Sequence, residues 1–191
     1  MVIIMKPHPS VTARLLEETL AMTETLIRLT TPRCRIDRLV ADDAADLWAI
    51  TDASVTSQVH FLPEPFTKDE AAALIARSRG DDVFHAVRDA AGLAGVIGVH
   101  RRGAGEYEVG YWFAARARGQ GLAREAVGAT VREIAAARRG ATVVAECRPG
   151  NARSEALLRA VGFVSTGTAG RRPGRALFVW RAAPGERIDV C

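Results

Sequence analysis

Arg116-Ala117-Arg118-Gly119-Gln120-Gly121-Leu122-Ala123 is the stretch that decides how the chain folds. It follows an alternating segment, Glu106 to Phe113, and opens a periodic one from Gly121 to about Arg138. Val127, Val131 and Ile134 mark one face of the periodic segment, which predicts a long helix ended by Gly140. Glycines between a strand and a helix let backbone N–H groups approach a ligand closely. The helix start adds unpaired donors and a positive dipole end, so the element suits a phosphate. The same Gly-x-Gly also serves as a plain tight turn. It is no P-loop, because no Gly-Lys-Ser/Thr follows. It is no dinucleotide fingerprint, because the third glycine is missing.

Outward from this stretch the chain alternates strands and helices. Asp82 to Arg88, Leu93 to Arg101 and Glu106 to Phe113 read as three strands. Their connections are short, which predicts antiparallel neighbours. Upstream, Leu26 to Val40 is extended in character, and Ala41-Asp42-Asp43 opens a helix carrying Leu47 and Trp48. Pro63 and Pro65 break the chain, and Thr67-Lys68-Asp69-Glu70 is a capping box for a helix to about Ser78. Downstream, Thr142 to Cys147 is a buried-type strand and Asn151 to Val161 a helix stopped by Gly162. Phe163 to Gly167 and Arg175 to Arg181 form a last strand pair across the basic turn Arg171-Arg172-Pro173-Gly174. The sum is a mixed α/β domain with a mostly antiparallel sheet flanked by helices. Residues 25–182 form the domain; 1–24 are an extension with a helix from Val11 to Met22, and 183–191 a tail.

The composition fits one globular domain: 191 residues, 48% hydrophobic, 25% charged, net charge +4. Only Lys6 and Lys68 are lysines, so 24 of the 26 basic residues are arginine. Codon bias accounts for much of that excess, and no basic run with interleaved aromatics supports nucleic-acid binding. No segment reaches the roughly 18 apolar residues of a membrane span. Lys6 follows the apolar start instead of preceding it, the wrong order for a secretory signal. Cys34, Cys147 and Cys191 read as free thiols of a reducing cytoplasm, without metal-ligand spacing to the histidines.

Two blocks resemble the GNAT superfamily of acetyl-CoA-dependent N-acetyltransferases. The first is Glu108-Val109-Gly110-Tyr111-Trp112-Phe113 followed by Arg118-Gly119-Gln120-Gly121-Leu122-Ala123 and Glu125-Ala126. The second is Asn151-Ala152-Arg153-Ser154 with Leu157, Leu158, Gly162 and Phe163. The pattern is similar to the subgroup that includes ribosomal-protein N-terminal acetyltransferases. The resemblance implies that two strands splay beside the long helix and the pantetheine arm of acetyl-CoA lies between them. Backbone groups near Trp112 and Phe113 would pair with the arm. Amides from Gly119 to Ala123, through Gly121 and Leu122, would hold the pyrophosphate, with Arg118 opening the motif. Asn151 would bond the arm near the thiol, although an Asn before a helix also serves as a cap.

Transfer requires a neutral amine, so a proton must be accepted, and the leaving thiolate benefits from a donor. Alternation places Glu106, Glu108, Gly110 and Trp112 on one face of their strand and Tyr107, Val109, Tyr111 and Phe113 on the other. Glu108 is the candidate base; its alternative is a structural ion pair with an arginine. Many members of the superfamily carry a Tyr after the leucine of the second block, where this chain has Leu158, and no tyrosine follows Tyr111. The subgroup it resembles has instead a serine three residues after the Asn, which implies Ser154 as the candidate acid, against a local backbone partner. His85 and His100 read as packed or edge residues and Cys147 as core. Phe61, Leu62 and Pro63 line the acceptor mouth or anchor their loop. The arginines Arg116, Arg118, Arg124, Arg148 and Arg153, with the turn at Arg171, Arg172 and Arg175, are expected around the ligand. The expected reaction is acetyl transfer to a primary amine, of a peptide N-terminus or of a polyamine, aminoglycoside or amino acid. A non-catalytic CoA-binding module is the competing class. A homodimer, its surface covered by the N-terminal helix, is left open as a further expectation.

Overall fold

The computed structural model describes residues 27–103 and 105–182. The expected N-terminal helix, the extension and the tail lie outside the described residues. The elements run β1 (Leu29–Thr30), β2 (Arg35–Arg38), α1 (Ala44–Ile50), α2 (Ala53–Thr56), α3 (Lys68–Arg77), β3 (Asp82–Asp89), β4 (Gly92–Arg101) and β5 (Glu106–Phe113). Then come α4 (Leu122–Ala137), β6 (Thr142–Cys147), α5 (Ala152–Val161), β7 (Phe163–Ala169) and β8 (Ala176–Trp180). All eight strands form one sheet in the order β1-β2-β3-β4-β5-β6-β8-β7. Every neighbouring pair is antiparallel except β5 and β6, which are parallel and joined through α4.

Local chemistry explains the boundaries. Thr67 caps α3, its hydroxyl accepting from the Glu70 N–H at 3.2 Å. Asn151 caps α5, accepting from the Ser154 N–H at 3.1 Å, and Gly162 closes that helix at φ +104°. Two details depart from the sequence reading. Of the extended segment, the described residues from Ile27 on hold a tight hairpin of β1 and β2, closed by the Thr31 N–H bonding the Cys34 carbonyl at 2.8 Å. The second departure is the additional short helix α2. It starts where the Asp52 carboxylate accepts from the Ser54 N–H at 2.9 Å. Four residues are too few to show a period.

Two apolar layers cover the sheet. On one face Val109 and Phe113 of β5 pack with Ile97 and Val99 against Val127, Val131 and Ile134 of α4 and Leu158 of α5. On the other, Trp112 packs with Phe84, Val96 and the residues of α1 and α3, among them Leu47 and Leu74. The alternation expected of β5 is therefore realised, with Trp112 and Phe113 on opposite faces. No helix among the described residues is long and apolar enough to cross a membrane.

Candidate active site

The sheet is split at its one parallel junction. β5 and β6 pair only over Glu106↔Thr142, Tyr107↔Val143 and Glu108↔Val144. Beyond Glu108, β5 stays paired with β4 as far as Phe113 while β6 stays paired with β8 as far as Cys147. The β6-facing edge of Val109–Phe113 thus has no strand partner, and a cleft opens there. Its walls include Glu108, Gly110, Tyr111 and Trp112 from β5, Glu146 and Cys147 from β6, and Asn151 and Ser154 from the start of α5. Gly110 keeps the slot open, since a side chain at that position would meet nothing within 4 Å. A free strand edge of this kind pairs with an extended amide chain.

The turn into α4 follows β5 and carries two glycines in the left-handed region. Gly121 caps the helix at φ +77° and Gly119 stands at φ +74°, with open space where a Cβ would lie at Gly119. The first-turn residues divide: Leu122 is buried and Ala123 only partly. The arginines expected at this helix are engaged elsewhere. Arg116 pairs with Asp89 at 2.6 Å. Arg118 donates to the Phe113 carbonyl at 2.9 Å and to Ser54 Oγ at 2.9 Å, clipping the end of β5 to α2. Arg33, from the hairpin, is the guanidinium that reaches the turn: it bonds the Gln120 carbonyl at 2.7 Å and Glu125 at 2.6 Å. Sequence separation hid it, because Arg33 and Glu125 are 92 positions apart.

Glu108 lies buried on the Trp112 face of β5. Its carboxylate accepts from Arg102 Nε at 3.0 Å and pairs with Arg172 from the β7–β8 turn. The structural ion pair and the proximity to the cleft are therefore both present. Arg172 also donates to Glu146 at 2.8 Å, and Glu146 takes the Arg171 N–H at 2.6 Å. Glu106, nearer the turn, pairs with Arg171 at 2.5 Å. His100 stands opposite Glu108 in the β4–β5 register and bonds Asp82 at 2.8 Å. Burial first, then the neighbouring Arg102, lower its pKa to about 4, so the ring is neutral near pH 7. His85 is fully buried, its Nε2 accepting the Ile27 N–H at 2.9 Å.

On the other face of β5 the Tyr111 hydroxyl lies 3.0 Å from Ser154 Oγ. The Cys147 thiol is buried beside them, its pKa raised by that burial, and it donates to the Arg148 carbonyl at 3.4 Å. Asn151 caps α5 with its oxygen and sends its amide to Gln58 at 3.2 Å, so it fills the cap role and faces the cleft as well. Of the loop residues Phe61, Leu62 and Pro63, only Phe61 lines the cleft, 5.7 Å from Phe84 between ring centres; Leu62 is core. Arg148, Arg172 and Arg175 line the cleft, whereas Arg124 and Arg153 are exposed outside its lining. Sequence reasoning missed Tyr111 as a site residue. Its signal was the strand alternation, which placed it opposite Glu108, but nothing local placed it against α5.

A sheet split at a parallel junction, next to a glycine turn that caps a long helix, is the frame of this mixed α/β protein. The chain belongs to the GNAT acetyltransferase domain family, whose model matches residues 33–164. No curated protein sequence matches significantly. Among solved structures it is similar to a GNAT-family acetyltransferase from Bacillus anthracis, at TM-score 0.70 and 19% identity, covering 80% of this chain and 97% of that one. The ribosomal-protein-S5-alanine acetyltransferase from Vibrio fischeri aligns at TM-score 0.68 and 17% identity, over 80% of this chain and 95% of that one. The microcin C7 self-immunity acetyltransferase MccE, solved with acetyl-CoA and AMP, aligns at TM-score 0.68 and 15% identity, over 78% and 92%.

Proposed function

We propose that the protein transfers the acetyl group of acetyl-CoA to the nitrogen of an amine. The observation that carries this reading is the placement of Glu108 and of the Tyr111–Ser154 hydroxyl pair on opposite faces of β5, both opening onto the split. Acetyl-CoA supplies the acyl group in activated thioester form. The unpaired edge of Val109–Phe113, the open Gly110 and the turn at Gly119 and Gly121 fit its pantetheine and pyrophosphate. Arg118 fixes the end of β5 ahead of that turn, Leu122 and Ala123 begin the helix behind it, and Asn151 stands at the α5 end of the slot.

The amine enters on the Trp112 face, where the Glu108 carboxylate takes up its proton. Each Glu108 oxygen is engaged by one guanidinium and keeps a free lone pair, so a water can relay that proton. The sulfur leaves on the Ser154 side, where a hydroxyl donor stabilises it. The acceptor is a peptide N-terminus or a small-molecule amine. The Vibrio fischeri neighbour, named for a ribosomal protein alanine, favours the former. The test is release of free CoA thiol by the purified protein across a panel of amines and N-terminal peptides. Acetyl-CoA binding without turnover on any amine would support the non-catalytic module instead.

A further inference from the structure

The charges lining the cleft are unequal. They comprise two carboxylates, Glu108 and Glu146, and three guanidiniums, Arg148, Arg172 and Arg175. Both carboxylates are already satisfied: Arg102 and Arg172 hold Glu108, while Arg172 and the N–H groups of Arg171 and Arg172 hold Glu146. Among the described residues, the hydrogen bonds of Arg148 and Arg175 go to neutral acceptors. Arg148 Nη1 donates to the Ser57 carbonyl at 3.1 Å and Arg175 Nη2 to the Gln58 carbonyl at 2.8 Å. A guanidinium has five donors in a planar fork, so most of this capacity is unspent.

The guanidiniums also crowd one another. Burial and then Arg148 lower the Arg175 pKa, and burial, Arg175 and Arg102 bring Arg172 down to about 10. His60, on the same wall, is held below its ordinary value by burial and then by Arg172, Arg175 and Arg148. With Glu108 and Glu146 matched by Arg102 and Arg172, Arg148 and Arg175 leave the wall with a net positive field, which Glu146 only partly offsets at Arg175. Its position matters. Ser57 and Gln58 precede α3 on the Trp112 face, the face of Glu108, and the helix-capping turn at Gly119 and Gly121 is not part of this lining. These arginines flank the amine's side of the cleft and not the turn suited to pyrophosphate.

We propose that the acceptor is an amine that also carries an oxyanion group, a carboxylate or a phosphate, bound by Arg148 and Arg175. This inference rests on the acetyl-transfer reading and names its substrate class. Planar, bidentate recognition of carboxylate or phosphate is what paired guanidiniums do well. His60, Phe61, Phe84 and Trp112 form an aromatic wall for the carbon skeleton between the two groups. Polyamines and aminoglycosides, which bring only positive charge, meet repulsion there.

The experiment uses the full chain with acetyl-CoA and matched acceptors. Phenylalanine is compared with its methyl ester, O-phosphoethanolamine with ethanolamine, and spermidine is included. In each supporting case the acid-bearing amine exceeds its neutral partner at least about tenfold in kcat/KM, the worth of one charge-assisted contact. R148Q/R175Q abolishes the preference, mainly through KM. Which pair shows the effect tells carboxylate from phosphate. Melting temperature gives a readout independent of turnover: O-phosphoethanolamine or phenylalanine raises it in the native protein and not in the double variant. The single variant R148Q, which removes one hydrogen bond of an exposed side chain, stands in if the double variant does not fold. Equal or better use of neutral amines or spermidine overturns the proposal, as does the absence of any stabilisation by either acid-bearing amine. Failure of acetyl-CoA to bind, with acid-bearing amines still stabilising the protein, would instead remove the acetyl-transfer reading.

Discussion

The phenol of Tyr111 and the hydroxyl of Ser154 lie 3.0 Å apart, joining the middle of β5 to the first turn of α5 across the cleft. Burial raises the Tyr111 pKa, so the phenol stays protonated and serves as a donor. By donating to Ser154 Oγ, the phenol leaves the Ser154 hydroxyl free to donate a hydrogen bond to the leaving thiolate, with no proton lost from Tyr111. Tyr111→Phe should keep acetyl-CoA binding, cost about 1 kcal/mol of stability for one lost hydrogen bond, and lower kcat roughly tenfold. Ser154→Ala should lower kcat at least as much. If the two act as one unit, the double variant is no worse than Ser154→Ala alone. Steady-state kinetics on the three variants checks this, and a Tyr111→Phe enzyme with native kcat would exclude the orienting role of Tyr111.

Glu108→Gln separates chemistry from binding. The amide retains an acceptor oxygen for Arg102 or Arg172 but loses the charge they share. A stability loss of about 1–3 kcal/mol follows from leaving charged donors poorly matched. Acetyl-CoA should still raise the melting temperature, because the strand edge and the Gly121 turn are untouched. Turnover should fall about a hundredfold on every accepted amine, the typical worth of a positioned base. Native turnover in this variant would assign Glu108 to the arginine network alone.

Most of the sheet was legible because its signals are local. Strand alternation in β5, the Thr67–Glu70 capping box and the stop at Gly162 each reside within a few residues and appear where the sequence placed them. The functional pairing was not legible, because it is made of long-range contacts. Tyr111 meets Ser154 across 43 positions, and Arg175 meets Gln58 across 117. No periodicity encodes which arginine reaches which carboxylate, so Arg116, Arg118 and Arg124 could not be told from Arg148, Arg172 and Arg175 before the fold was known. Only the last three line the cleft.

Gly121 ties backbone shape to the carrier. At φ +77° an L side chain is strained by roughly 1–2 kcal/mol, and a Cβ there would stand 3.4 Å from the Arg33 guanidinium. Gly121→Val should therefore lower the melting temperature and also remove the further rise that acetyl-CoA produces. Gly140→Val is the control. It carries nearly the same φ, +79°, with open space around it at the far end of α4. It should lose comparable stability yet keep the acetyl-CoA shift. A retained shift in Gly121→Val would place the pyrophosphate elsewhere.

His100 makes the fold sensitive to mild acid. Its folded pKa is about 4 against an ordinary 6.5, because burial and Arg102 disfavour the charged ring. The unfolded chain therefore binds a proton that the folded one refuses. The stability that depends on the neutral ring is fully present above pH 6.5 and is lost progressively as pH falls to about 4. The loss amounts to about 3 kcal/mol at the lower end. His100→Asn cannot titrate and keeps a donor for Asp82. Its stability should change much less than that of the native protein between these limits, while below them both should fall together as Asp43 and Asp89, held low by arginine contacts, and Glu125, held low by Thr31 and then Arg33, become protonated. Denaturant unfolding at a series of pH values measures both curves. Parallel curves between pH 6.5 and 4 would show that His100 is charged in the folded protein.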